Sequence, residues 1–216
     1  MRDDTPPLTP ELLLRAYMSG IFPMAEGRDA FDVFWVDPER RGIMPIDGLH
    51  VSRSLRRSVR RQNYDIRLNS HFEGVLEGCA ARDETWINDD LFWLYVALFE
   101  AGYAHSIEVW QDGVLSGGIF GIAIGSAFFG ESMFSARTNA SKIAMVYLID
   151  RLKRGGFTLF DTQFVTPHLI SLGALEIPRA DYRARLGLAL QTAASFTGPS
   201  SPTSAQDVLQ RITQTS

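Results

Sequence analysis

The sequence predicts an α+β fold: a small N-terminal module followed by a larger body whose mostly antiparallel sheet is flanked by helices. Three observations carry this. Apolar residues recur at helical spacing in several separate stretches, as in "SHFEGVLEGCAA", where Phe72, Val75, Leu76 and Cys79 share one face. Between residues 105 and 132 the period changes, and "HSIEVWQDGVLSGGIFGIAIGSAFFGES" reads as three strands joined at Asp112-Gly113 and Gly125-Ser126 turns. Finally, 216 residues with 45% hydrophobic and 21% charged content can bury a sizeable core and fit one domain, or one plus a smaller module.

Taken in order, "TPELLLRAYMSG" is a helix with Thr9 as N-cap, Pro10 at its first position and Gly20 just past its end. The Pro-, Gly- and aromatic-rich stretch to residue 48 reads as loops and short strands. "VSRSLRRSVRRQ" starts a second helix at Ser52, and "YDIRLN" alternates like a strand. Ser70 and Glu73 have capping-box spacing ahead of a core helix. A further helix runs from about Asp89 to Ala101 and stops at Gly102, and the meander follows. "NASKIAMVYLIDRLKRGG" is a helix capped near Asn139, "FTLFDTQ" a buried strand, "TPHLISLG" a short helix capped by Thr166, and "DYRARLGLAL" another helix. The expected division is 1–62 for the N-terminal module, 63–190 for the body, and 191–216 for a poorly ordered Ser/Thr/Ala-rich tail with a short helix near Val208.

A formal charge of −4 gives no global reason to bind nucleic acid, so such binding must rest on a local basic cluster. Cys79 is the single cysteine, so no internal disulfide forms. His50, His71, His105 and His168 lack metal-ligand spacing, and neither a metal nor a cofactor is expected. The N-terminus carries acids before its short apolar run, unlike a secretory signal, and no apolar stretch approaches the ~20 residues of a membrane span, so a cytoplasmic location is expected.

Three constellations carry chemistry. Arg53, Arg56, Arg57, Arg60 and Arg61 share an arc of about 140° on the second helix, opposite Leu55 and Val59, with no acid among them. Such a face is either solvated and paired to acids elsewhere or a seat for RNA phosphates; mutual repulsion favours the phosphates. Most of Phe22, Phe31, Phe34, Trp35, Trp86, Phe92, Trp93 and Trp110 belong to the core, but Trp86, flanked by polar residues, is placed to stack a base. The third constellation is Glu131, alone in "GSAFFGESMFS", with Asp161 and Gln163 of "FDTQ". Alternation puts Asp161 and Gln163 on one face of a strand, a carboxylate beside an amide that accepts from an amine.

"YMSGIFPM", "FWVDPERRGIMP", "HVSRSLRR", "EGCAARDETWI", "GGIFG", "FFGESMFS", "NASKIAM" and "FDTQFVTPHLISLGALEIPR" occur in this order over residues 8 to 190. The chain resembles the leucyl/phenylalanyl-tRNA-protein transferases. The resemblance implies a GCN5-related acetyltransferase-like (acyl-CoA N-acyltransferase-like) body behind the small N-terminal domain. It also implies a bacterial enzyme that moves Leu, Phe or Met from aminoacyl-tRNA to the α-amino group of proteins beginning with Arg or Lys, creating a degradation signal. By the same resemblance Asp161 and Gln163 are the catalytic pair, Glu131 and Met133 line the aminoacyl pocket, and Trp86 holds the tRNA 3′ end. Ile119, Leu148, Leu152 and Phe160 fall at apolar pocket positions, and Met24 stands where the family often has Trp. Glu131 would bind the amino group of the tRNA-borne amino acid. Glu108, Asp112, Asp161 and Glu176 are the acids open for reading the acceptor's cationic side chain.

Other readings are an acyl-CoA N-acyltransferase, against which the absence of glycine in "SARTNASK" argues, an RNA-binding module, which leaves "DTQ" unexplained, and a transferase for acidic N-termini.

Overall fold

The computed structural model describes residues 8–30, 32–82, 85–200 and 204–213. Helix α1 (Pro10–Met18) opens as its sequence dictates: the Thr9 hydroxyl accepts from the Leu12 N–H, and Leu13, Ala16 and Tyr17 form its buried face. The irregular stretch resolves into an antiparallel ribbon, β1 (Phe22–Ala25) with β2 (Val33–Val36), and a third strand, β3 (Arg40–Ile43). Then come α2 (Arg53–Arg61), β4 (Asp65–Leu68), α3 (Phe72–Ala80) and α4 (Asp89–Glu100). The meander forms as expected, β5 (Ala104–Gln111), β6 (Val114–Ile124) and β7 (Ala127–Ser135), with left-handed Gly113 and Gly125 in its turns. It leads to α5 (Ala140–Gly155), β8 (Leu159–Gln163), α6 (Pro167–Ser171), β9 (Leu175–Pro178), α7 (Arg179–Gln191) and α8 (Ala205–Thr213).

The main sheet has seven strands in the order β4-β5-β6-β7-β8-β3-β9. Neighbours are antiparallel except β7 and β8, which run parallel because α5 carries the chain across between them. Both faces are covered, so the central strands are apolar on alternate residues to either side. Phe120 and Ile122 join a core with α1, α3 and α4, while Ile119 and Phe128 join one with α2, α5 and α8.

Three expectations change. Ser70 does not cap α3: His71 is the N-cap residue and makes no side-chain cap bond, because the Ser70 hydroxyl and backbone N–H are both taken by Glu108. The boundary near residue 62 cuts through the body, since β3 pairs with β8 and β9 inside the main sheet and α2 buries Leu55 and Val59 against α5 and α8. The segment after residue 191 is packed where it is described. Phe196 stacks on His105 and Phe128, and α8 buries Val208, Leu209 and Ile212; residues 201–203 and 214–216 lie outside the described residues. The short helix expected near Val208 forms.

Candidate active site

Strand β8 carries the candidate pair Asp161 and Gln163, and a bulge orients them. One step along β3, from Gly42 to Ile43, matches two along β8, from Gln163 to Asp161, so Thr162 is the extra residue. Gln163 then adopts φ +56°, a left-handed conformation rare outside glycine, and the Asp161 carboxylate holds it there by accepting from its backbone N–H at 2.8 Å. The pair therefore does not share one face as simple alternation predicts. Asp161 turns into the protein and Gln163 towards a cavity.

That cavity, of about 370 Å³, is lined by predicted residues Met24, Trp86, Ile119, Glu131, Met133, Phe160 and Gln163. Ile119 and Met133 are cross-strand partners on β6 and β7, which is why they form one apolar wall. Met145, Phe164 and Leu169 also line it without any signal in the sequence, and so does Phe22 of the aromatic set. Leu148 and Leu152 are buried on the core face of α5 and do not line it; Met145, one helical turn before Leu148, takes that place. Phe31 of the aromatic set lies outside the described residues. Trp86 is half-buried with its ring edge-on to Tyr95, while Phe34 and Trp35 are exposed on the ribbon strand opposite Met24 and Pro23.

Asp161 is wholly buried and fully engaged. Oδ1 accepts from Arg41 Nε at 2.9 Å, as well as from the Gln163 backbone. Oδ2 accepts from Arg41 NH2 at 2.7 Å and from the Tyr182 hydroxyl at 2.7 Å. Arg41 in turn lies between the rings of Phe22 and Tyr182, 4.5 Å from each centroid, and donates to the Gly20 carbonyl. Neither Arg41 nor Tyr182 could be picked out from sequence, because their partner lies more than a hundred residues away for one and on another element for the other.

Among the described residues, Glu131 is the carboxyl that lines the cavity. Its Oε2 accepts from Tyr95 at 2.9 Å, and the Tyr95 and Tyr17 hydroxyls are 3.0 Å apart. Enclosure by protein pushes the Glu131 carboxyl up to about 8; the negative Asp161 adds to this, and the tyrosine bonds and Arg41 oppose it. The Gln163 amide is satisfied when Nε2 donates to the Gly130 and Thr162 carbonyls, at 2.9 and 3.1 Å. Its oxygen then occupies the position 3.4 Å from Glu131 Oε1, open to the cavity.

The other acids named from sequence lie elsewhere. Glu108 is buried and accepts from Ser70, His71, Ser106 and Trp110, which hold it below the usual carboxylate range despite burial. Asp112 pairs with Arg137 and Glu176 with Arg40, both at the surface. None of the four acids lines the cavity.

On α2 the five arginines border one shallow depression, and none of them makes an ion pair among the described residues. The Asn139 amide, at the start of α5, donates to Ser58 on α2, and Met145 follows about 9 Å further along the same helix axis. The basic face and the cavity are thus tied through one helix. Among the described residues no cluster of His, Cys, Asp and Glu has the makings of a metal site, and no helix is long and apolar enough to cross a membrane.

A family model described as leucyl/phenylalanyl-tRNA protein transferase matches residues 43–187, and the model of that family's N-terminal domain matches residues 7–39. The chain belongs to this family. It is an aminoacyltransferase. A leucyl/phenylalanyl-tRNA–protein transferase of Cereibacter sphaeroides is 59% identical over 98% of this chain and 100% of its own length. Relatives of the same description from Jannaschia sp. and Ruegeria pomeroyi are 60% and 59% identical, over 88% and 97% of this chain and 90% and 99% of their own. The two family models meet between residues 39 and 43, just where β3 enters the main sheet. Among solved structures, FemX aligns with TM-score 0.48 and 14% identity over 72% of this chain and 60% of its own. A ribosomal-protein-alanine N-acetyltransferase from Brucella melitensis aligns with TM-score 0.35 and 16% identity, over 65% and 96%. Likenesses at this level assign neither chemistry nor ligand.

Proposed function

We propose that the protein takes Leu, Phe or Met from aminoacyl-tRNA and joins it to the α-amino group of proteins beginning with Arg or Lys, in the cytoplasm, marking them for degradation. The observation that carries this is the cavity: an apolar slot walled by Ile119, Met133, Met145 and Phe160, with an amide and a carboxyl at its polar end. Such a slot fits an unbranched-at-Cβ apolar side chain and leaves the ester carbonyl at Gln163 and Glu131.

The ester of aminoacyl-tRNA is already activated, so the protein must hold two reactants in line and manage one proton. In this reading the Gln163 oxygen accepts a hydrogen bond from the acceptor amine and orients its lone pair towards the ester carbonyl. Asp161 works through Gln163, by fixing its backbone, and touches neither substrate. Met24 and Trp86 meet the terminal nucleoside, and the α2 arginines hold acceptor-stem phosphates.

The test is transfer of labelled Leu, Phe, Met, Val and Ile from their tRNAs to peptides beginning with Arg, Lys, Asp or Glu. Transfer of the first three to Arg and Lys peptides is expected. Transfer to Asp or Glu peptides instead would overturn the acceptor assignment, and equal use of Val and Ile would overturn the slot.

A further inference from the structure

We propose that Glu131, and not Asp161, receives the proton of the attacking amine and returns it to the departing ribose oxygen. The inference rests on the transfer reaction assigned above and deepens it by assigning the proton, which Gln163, an amide, cannot carry.

Among the described residues the geometry leaves one candidate carboxyl. A carboxylate has about four lone-pair sites. Those of Asp161 are filled by Arg41 Nε, the Gln163 N–H, Arg41 NH2 and the Tyr182 hydroxyl, and its side chain has no surface towards the cavity. Taking up a proton there would break the Arg41 fork and release the left-handed Gln163. Glu131 has one oxygen held by Tyr95 and the other beside the Gln163 amide, facing the cavity. An amine hydrogen-bonded to the Gln163 oxygen lies within reach of that free oxygen. The Tyr95–Tyr17 pair ends in the buried core, so it holds Glu131 rather than conducting the proton away.

The balance closes without a further reactant. The amine lone pair forms the C–N bond to the ester carbonyl carbon, and the N–H proton passes to ionised Glu131. The C–O bond to the ribose breaks with its electron pair on oxygen, and that oxygen takes the proton back, leaving Glu131 ionised. The groups facing Glu131 are Tyr17 on α1, Arg41 on β3, Tyr95 on α4 and Asp161 on β8; Arg82 and His168 line the same cavity. Burial, the largest of these influences, sets the carboxyl at about 8, within the range of an α-amino group.

The experiment measures single-turnover transfer from Leu-tRNA to an Arg peptide from pH 6 to above 9 in wild type, E131Q and Y95F, with calorimetric binding of a non-reactive aminoacyl-adenosine amide. The expected result for E131Q is analogue binding within about 3-fold of wild type, a saturated rate lower by about 10²- to 10⁴-fold, and a slope of log kcat/KM against pH smaller by one. Y95F, which loses one donor to the carboxylate, is expected to keep the slope but reach its plateau at higher pH. Weakened analogue binding with an unchanged saturated rate in E131Q would make Glu131 a binding group only and overturn the inference. An unchanged slope in E131Q would move the proton to another group, His168 foremost, and overturn it as well. Absence of transfer in wild type would remove the parent reaction itself, a result distinct from either.

Discussion

Arg41 and Asp161 meet in a two-pronged fork, Nε to Oδ1 at 2.9 Å and NH2 to Oδ2 at 2.7 Å, where neither side chain reaches solvent. Breaking a buried pair by removing one partner costs about 3–5 kcal/mol, so Arg41→Ala is expected to fold poorly. Tyr182→Phe removes one donor to the same carboxylate and keeps the ring over the guanidinium. It is expected to destabilise by about 1–3 kcal/mol and to lower the saturated rate more than it raises KM, because Gln163 is held less firmly. Thermal denaturation with steady-state kinetics checks both variants.

Gly42 gives a second handle on the same segment. A Cβ there would stand 2.7 Å from the Phe164 carbonyl carbon and oxygen, backbone that cannot step aside without moving Gln163. Gly42→Ala is expected to cost about 1–3 kcal/mol and to depress transfer disproportionately. Measuring Tm and kcat together decides the matter; a stable variant with full activity would show that the bulge tolerates displacement.

Met145 bounds the apolar slot from α5. Met145→Phe shortens the slot and is expected to reduce transfer of Phe relative to Leu by about 10- to 200-fold, the range that steric discrimination of this kind supplies. Competition between the two charged tRNAs reads the ratio directly.

Arg57 and Arg60 are exposed on the basic face of α2. Changing both to Gln is expected to leave Tm unchanged and to weaken tRNA binding uniformly across sequences. It should also reduce the slope of log binding constant against log salt by about 1 for each arginine. A salt dependence identical to wild type would remove α2 from the tRNA path.

The raised Glu131 value has a stability consequence whose sign is fixed. Its folded value of about 8 lies above the ordinary carboxylate value, so between about 4.5 and 8 the folded protein holds a proton that the unfolded chain has released. Stability therefore falls as pH rises through that window, by up to about 1.4 kcal/mol per pH step, and levels off above 8. E131Q removes this contribution. The difference in unfolding free energy between E131Q and wild type should grow in favour of E131Q from pH 5 to 8; a constant difference would show that Glu131 is ionised in the empty site.

How much of this was readable from the sequence depended on range. Local signals worked where their partners were close: Thr9, Ser52 and Thr166 cap their helices, and the two meander turns carry left-handed glycines. Ser70 failed as a cap because a buried acid on β5 competes for it, and no local pattern contains that competitor. At the site, Glu131 was visible as a lone acid in an apolar run, and Gln163 as a polar end to a buried strand. The opposed orientation of Asp161 was not visible. It follows from a bulge set by β3, and strand pairing across 120 residues leaves no local periodicity to read. Leu148 and Leu152 were misplaced for a related reason, since which side of α5 meets the cavity depends on how the helix is rotated over β6 and β7.

Strand β3 also bears on where this chain can be divided. It is the partner through which β9 joins the sheet, and it flanks β8 on the side away from β7. A fragment beginning after residue 62 would leave β8 with an open edge where Gly42 and Ile43 had been, and β9 with nothing to pair to. The early segment is better regarded as the keystone of β8 than as an accessory module. Shortening the chain from the front is expected to cost activity well before residue 40, since Phe22 and Met24 line the cavity and the Gly20 carbonyl accepts from Arg41.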